Sequence, residues 1–384
     1  METEQEAPGP YEYSALQHAI SFRIAKLLPG HGDAPVQCTL EEVQWSDGRH
    51  FEAISYAWGD PTPKDLILAH DRILGVTKNL HSALLHLRHE ETPRYIWVDA
   101  ICTNQNDIPE RGAQVRQMRR IFEKATSVLI WLGPDNDAGQ AALAVRSVQQ
   151  IAELICQQLG ISLEDLSAVE QIYHTVLFEN RHRLALPSEC GIVPRDVWDA
   201  VLWLYRHPYF TRVWVIQEIN ANRSRPTFCG RHIISWEAVE LVAGYMVLES
   251  TFAHKCGDLG STFCWWASTA PSELRSASNW LHILYLASKF VASDARDVVY
   301  GLREMMNCRA GGALLDPDYS KATLQTYRDV VETSLFNYKN TNALLYVSAV
   351  EGRPFVDPVL GRGHAVPEPV SVRQPHALEA GRRL

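Results

Sequence analysis

Paired cysteines are missing from this chain, and their absence removes two classes of protein at once. The eight cysteines, Cys38, Cys102, Cys156, Cys190, Cys229, Cys256, Cys264 and Cys308, are scattered, and no two stand as C-x-x-C. Neither a disulfide framework nor a structural zinc site is expected, and no metal site is assigned. Cys229-Gly230-Arg231-His232 has ligand-like spacing, but a lone pair of donors reads better as a buried thiol beside a surface histidine. Long apolar runs are missing too. The longest, Trp280 to Val291, contains His282 and Lys289 and falls short of the ~20 residues a membrane helix needs. The first ten residues, METEQEAPGP, are acidic and lack an apolar signal segment, so reduced thiols in a cytoplasmic setting are expected. Positive charge is in deficit: 36 Lys and Arg against 45 Asp and Glu give a net charge of -9. No basic stripe exists to track phosphates, and nucleic acid is not an expected partner. Arg116, Arg119 and Arg120 are balanced by Glu110 and Glu123 and read as a solvated helix face. P-loop, G-x-S-x-G, H-E-x-x-H and G-x-G-x-x-G signatures are all absent.

What is present is an ordinary globular composition, 46% hydrophobic and 21% charged over 384 residues, enough for a sizeable core and two or three domains. Two segments stand out. Phe51-Glu52-Ala53-Ile54-Ser55-Tyr56 runs into Ala57-Trp58-Gly59-Asp60-Pro61, and Tyr95-Ile96-Trp97-Val98 runs into Asp99-Ala100-Ile101-Cys102-Thr103-Asn104-Gln105. Each is an apolar run that stops at small, polar and turn-forming residues and precedes a helical pattern. That is how a parallel strand delivers a functional loop. Between them, Leu80, Leu84 and Leu87 form one helix face. Asp107-Ile108-Pro109-Glu110 starts a second helix with a capping pattern and a first-turn proline. A third strand follows at Ser127–Leu132.

Strand, helix, strand, helix, strand predicts an α/β fold with a mostly parallel central sheet of four or five strands, helices on both faces. The chain divides into a lead-in, 1–50, with a hairpin expected at the sheet edge, and an α/β core, 51–230, with a helical insertion at 139–195. A helical extension covers 231–345. The tail, 351–384, is punctuated by Pro354, Pro358, Pro367, Pro369 and Pro375 and is expected to be disordered.

Four motifs occur in order: Ser55-Tyr56-Ala57-Trp58-Gly59, Trp97 to Gln105, Glu110-Arg111-Gly112-Ala113-Gln114-Val115 and Trp131-Leu132-Gly133. Together they resemble the fungal heterokaryon-incompatibility (HET) domain, whose pattern runs S-Y-x-W-G, W-(I/V)-D-A-(I/L)-C-I-N-Q, E-R-x-x-Q-V, W-L-G. Thr103 departs from the family's isoleucine. Arg212-Val213-Trp214-Val215-Ile216-Gln217-Glu218 matches a further landmark, R-x-W-x-x-Q-E. The resemblance implies a role in non-self recognition and cell-death signalling. It also implies partners among other HET or Toll/interleukin-receptor (TIR)-like domains or a second copy of the chain, and a core of flavodoxin or TIR type.

Two mechanisms remain open at this level. In the binding reading the loops assemble with partner domains and no cofactor is required. In the enzymatic reading, implied by the distant likeness to TIR domains that cleave NAD, NAD is a substrate. Trp214 and Glu218 then stand at the W-x-x-x-E spacing, and Glu218 stabilises a ribosyl cation. Tyr56, Trp58, Gly59, Asp99, Asn104 and Trp214 would line the nucleotide site. Each has a plainer role: Tyr56 and Trp58 packing their loop, Asp99 and Asn104 holding loop backbone, Glu218 paired with Arg212 or Arg223. Cys102 lacks an evident histidine partner and reads as a buried thiol.

Overall fold

Nine strands form among the described residues, seven of them in the first half of the chain. They are β1 (Phe22–Leu27), β2 (Gln37–Val43), β3 (Glu52–Tyr56), β4 (Asp65–Ala69), β5 (Arg72–Val76), β6 (Arg94–Trp97), β7 (Val128–Gly133), β8 (Thr227–Cys229) and β9 (His232–Ile234). They join in one sheet of order β5-β4-β2-β1-β6-β3-β7-β8-β9. The computed structural model describes residues 8–18, 20–60, 62, 65–135, 139–169, 172–184, 195–248, 280–287, 290–306 and 311–341. The proline-punctuated tail, Cys190, Cys256, Cys264 and Cys308 lie outside the described residues.

The sheet corrects the expectation of a mostly parallel one. It is mixed: its middle, β6-β3-β7-β8, is parallel, and so is the β2–β4 pair. β1 pairs antiparallel with both β2 and β6, and the outer pairs β4–β5 and β8–β9 are antiparallel hairpins. The difference comes from the lead-in. β1 is buried on both faces over nearly its whole length, which suits an interior strand. The hairpin expected at an edge therefore sits inside the sheet, between β6 and β4, and the sheet grows beyond it. The three strands expected to lie side by side, β6, β3 and β7, do so.

Helices follow the expected signals. Thr77 caps α1 (Lys78–Leu87) by accepting the Leu80 N–H, and the buried face is Leu80, Ala83, Leu84 and Leu87. A four-residue turn, α2 (Asp99–Cys102), follows β6. Asp107 caps α3 (Ile108–Lys124), accepting from Glu110 N at 2.9 Å. Then come α4 (Gln140–Leu159), α5 (Leu163–Leu166), α6 (Arg195–Tyr205), α7 (Val213–Ala221), α8 (Trp236–Leu248), α9 (Trp280–Ala287), α10 (Asp297–Tyr300) and α11 (Thr323–Glu332). Register assigns the faces. Ala53 pairs with Trp97 and with Val128, so Trp97 and Ser55 share one face of the sheet, while Tyr56 and its partner Trp131 share the other. On the first face Trp97 packs edge-on against Phe122 of α3. On the second, the Trp131 indole donates to Asn79 of α1 at 3.0 Å. The sheet is thus covered on both sides, as its buried strands require.

Two local features explain motif residues as architecture. Gly230-Arg231 is the turn of the β8–β9 hairpin, so the Cys-x-x-His spacing is hairpin geometry. Cys229 is buried, and the imidazole of His232 lies 3.5 Å from Asp135. No group of metal-binding side chains occurs among the described residues. Gly133 ends β7 at φ 134°, and a Cβ there would sit 3.0 Å from the His207 imidazole. The W-L-G glycine is needed for both reasons. Gly133→Ala should cost about 1–3 kcal/mol, read as a lowered denaturation midpoint with an unchanged far-UV spectrum. Among the described residues no helix is long and apolar enough to cross a membrane.

Candidate functional site

The carboxyl end of β3 is where the sheet's parallel strands open onto loops, and the side chains there are unusually polar for a buried position. Ser55 faces α7, whose Glu218 reaches under the strand. Glu218 is 2% exposed. Its carboxylate accepts the Ser55 hydroxyl, and the Ser55 oxygen is also 2.8 Å from the Tyr209 hydroxyl. Arg212, the residue that opens α7, donates to the Tyr56 carbonyl and lies 3.8 Å from the other oxygen of Glu218.

Asp99 joins from the next strand. It is half-buried, and its carboxylate accepts from the Trp58 indole at 3.0 Å and from its neighbour Ala100 N at 2.8 Å. Gln105 Nε2 donates to the Asp99 carbonyl at 2.8 Å, closing the loop. The Tyr56 hydroxyl is buried and has no hydrogen-bond partner among the described residues. The first two motif regions and the R-x-W-x-x-Q-E landmark therefore converge. Two carboxylates, one guanidinium and three hydroxyls meet at one strand end, where ligands bind in open α/β sheets.

Burial sets the electrostatics. Desolvation pushes Glu218 up from 4.5 to about 6, with Asp99 adding to the rise while Arg212 and the Ser55 hydrogen bond oppose it. Asp99 is raised by the same desolvation, opposed by Arg212 and by its Trp58 and backbone hydrogen bonds. Tyr56 and Tyr209 are raised so far that both stay neutral. One cation thus serves two carboxylates, which favours a retained proton on the pair. Cys102 is buried, and burial pushes its thiol up to about 12. Nothing activates it as a nucleophile, in line with the buried-thiol reading.

The structure separates the expected site residues. Tyr56, Trp58, Asp99 and Glu218 gather at this cluster, and Gly59 turns the loop beside them at φ 69°. Asn104 serves its own loop: Oδ1 accepts from Asn106 N at 3.2 Å, and its backbone N–H donates to Glu110 at 2.7 Å. Trp214 turns toward the C-terminal helices, donating to Asp297 at 3.1 Å and lying against Gly301. Of the two arginines weighed as partners of Glu218, Arg212 is beside it, while Arg223 bonds the carbonyls of Ser167 and Ala168. Ser55 and Tyr209 were not anticipated. Ser55 opens the S-Y-x-W-G motif and alternates with Tyr56, which was a usable signal; nothing local marked Tyr209.

The E-R-x-x-Q-V motif is structural. Arg23 of β1 forms a buried pair with Glu110 at 2.6 Å and also donates to the Cys102 carbonyl at 3.2 Å. Gln114 donates to the Ser21 carbonyl at 3.0 Å. These contacts tie the Asp99–Gln105 loop to the lead-in.

Residues 51–218 match the family model described as heterokaryon incompatibility protein (HET). The chain carries a HET domain. Its boundaries run from the residue before β3 to Glu218 itself. The chain is also similar to heterokaryon incompatibility protein 6, OR allele, of Neurospora crassa, at 26% identity over 231 residues. That similarity covers 54% of this chain and 33% of the relative, so the match spans about a third of the relative's length. No solved structure matches. The likeness to TIR and flavodoxin folds therefore stays an expectation.

The HET domain's buried acid makes a signed pH prediction. A carboxyl raised in the folded state keeps a proton that the unfolded chain has already released. Its contribution to stability is full below about pH 4.5 and is lost as pH rises through about 6. Relative to Glu218→Gln, the protein should lose about 2 kcal/mol of stability on going from well below pH 4.5 to well above pH 6. Urea denaturation of both proteins at the two ends of the window measures it; parallel curves would remove the raised acid.

Proposed function

We propose that this protein acts in fungal heterokaryon incompatibility, its HET domain passing a non-self signal toward cell death by contact with other HET or TIR-like domains or with a second copy of itself. The reading rests on the family match over 51–218 and the Neurospora relative. The observation that carries it is the convergence of the family's separated motifs on one cluster: Ser55 and Trp58, Asp99, Arg212 and Glu218. A pattern that only maintained packing would not need a buried and a half-buried carboxylate around one arginine, an arrangement that costs stability. The proposed setting is the cytoplasm, with no required cofactor. Expression in a fungal host should arrest growth, and Glu218→Gln or Arg212→Gln should relieve the arrest at equal protein abundance. Unimpaired growth with abundant folded wild-type protein would count against an autonomous effector.

A second reading has one observation in its favour: Glu218 lies at the end of β3, hydrogen-bonded to the neighbour of Tyr56, with Asp99 and Trp58 across the loop. An NAD glycohydrolase needs an anion near the ribosyl carbon as the bond from C1′ to the nicotinamide nitrogen breaks. The electron pair leaves with nicotinamide, and water then adds to C1′ and sheds a proton. In this reading Glu218 stabilises the cation, with Tyr56, Trp58, Gly59 and Asp99 around the nucleotide. Purified protein incubated with NAD should release nicotinamide, and Glu218→Gln should lower the rate about 10²-fold or more. Equal background release from both proteins leaves the contact reading in place.

A further inference from the structure

Among the described residues Arg212 is the guanidinium that pairs with Glu218, so whatever holds Arg212 controls the cluster. It is extended, at φ -79° and ψ 133°, and precedes the first turn of α7. In an extended residue the preceding carbonyl and the following N–H point the same way, leaving the side chain free to point elsewhere. Both groups are taken by one residue far along the chain. Val291 N donates to the Thr211 carbonyl at 2.6 Å, and Val213 N donates to the Val291 carbonyl at 3.2 Å. Two hydrogen bonds therefore bracket Arg212 and leave its guanidinium directed at Tyr56 and Glu218.

The same segment grips the next turn. Asp297 accepts the Trp214 indole at 3.1 Å and the Tyr319 hydroxyl at 2.7 Å. Arg111 of α3 lies over the Tyr319 ring at 4.0 Å, and Arg296 donates to the Tyr319 carbonyl at 2.9 Å. Arg116 of α3 donates to the Pro317 carbonyl at 2.7 Å. Val291 and Asp297 lie beyond residues 51–218, so the grip comes from outside the family-matched region. Val291's own side chain is 64% exposed, so it holds Arg212 through backbone alone.

We propose that the segment around Val291–Asp297 is a strap that positions Arg212 on the Ser55–Glu218 pair, so that the cluster keeps its arginine only while the strap is seated. Val291 and Asp297 are positioning residues in this sense, and displacing the strap is the chain's own means of releasing the cluster. The inference holds whether Glu218 serves contact or chemistry.

The test reads the titration of Glu218, which a merely structural contact would leave in place. The groups facing Glu218 are Ser55 and Tyr56 from β3, Asp99 from α2, and Tyr209 and Arg212 from the turn before α7. Difference infrared spectra of each protein against its Glu218→Gln counterpart give the carboxyl midpoint. Val291→Pro removes the bridging N–H, Trp214→Phe removes the donor to Asp297, and Val291→Ala keeps the backbone pairing. The midpoint should rise from about 6 in Val291→Pro and Trp214→Phe, toward the value given by Arg212→Gln, and stay put in Val291→Ala. In an Arg212→Gln background the strap variants should add nothing. If Val291→Pro does not fold, Trp214→Phe decides alone. Strap variants that melt earlier but keep the wild-type midpoint would overturn the proposal.

Discussion

A carboxylate sits beneath β3, an interior strand of the sheet, and much of the surrounding architecture exists to tolerate it. Transferring an ionised acid into a protein interior costs several kcal/mol unless partners replace the lost water. Here they come from separate parts of the chain: the Ser55 hydroxyl from β3 and the Arg212 guanidinium from the turn before α7, with the Tyr209 hydroxyl bonded in turn to Ser55. Asp99 brings a second acid within reach of the same arginine. Such an arrangement weakens the fold where hydrophobic residues would strengthen it.

The sheet explains how those parts meet. β3 lies between β6 and β7, and the loops after β3 and β6 emerge on the same edge because the two strands are parallel. The antiparallel β1 contributes differently. Through Arg23 it neutralises Glu110 and holds the Cys102 carbonyl, and Glu110 in turn holds the Asn104 backbone. A lead-in that precedes the family-matched residues thus fixes the loop bearing Asp99. The strap around Val291 does the same from the other side for Arg212. Both supports lie outside 51–218, so the cluster depends on more of the chain than its motifs.

Much of this was legible beforehand for definite reasons. α1 and α3 were readable because caps, a first-turn proline and a single apolar face agree with one another. The adjacency of β6, β3 and β7 followed from strand–helix alternation. The mixed character of the sheet was not readable: a hairpin that precedes the core can lie at an edge or inside it, and only β1's burial on both faces decides. Among the candidate site residues, Tyr56, Trp58, Asp99 and Glu218 could be named because they end strands or stand in motifs, and the fold brings them together. Trp214 was grouped with them by spacing, and four residues along a helix do leave it within about 40° of Glu218's direction; its hydrogen bond to Asp297 and its packing against Gly301 take the indole to other neighbours.

The sequence by itself determined the α/β class, the HET motifs, the buried state of Cys102 and the candidates at strand ends. These depend on local period, turn chemistry and composition, which act over a few residues. Tertiary structure alone decided that Ser55, rather than Tyr56, bonds Glu218, that Arg212 is the cation, and that Val291 brackets it. Those contacts join residues separated by 163, 6 and 79 positions. The short Arg212–Glu218 span was foreseeable as one of two options, whereas the long ones depend on which strands pair and in what register, and no local pattern encodes that.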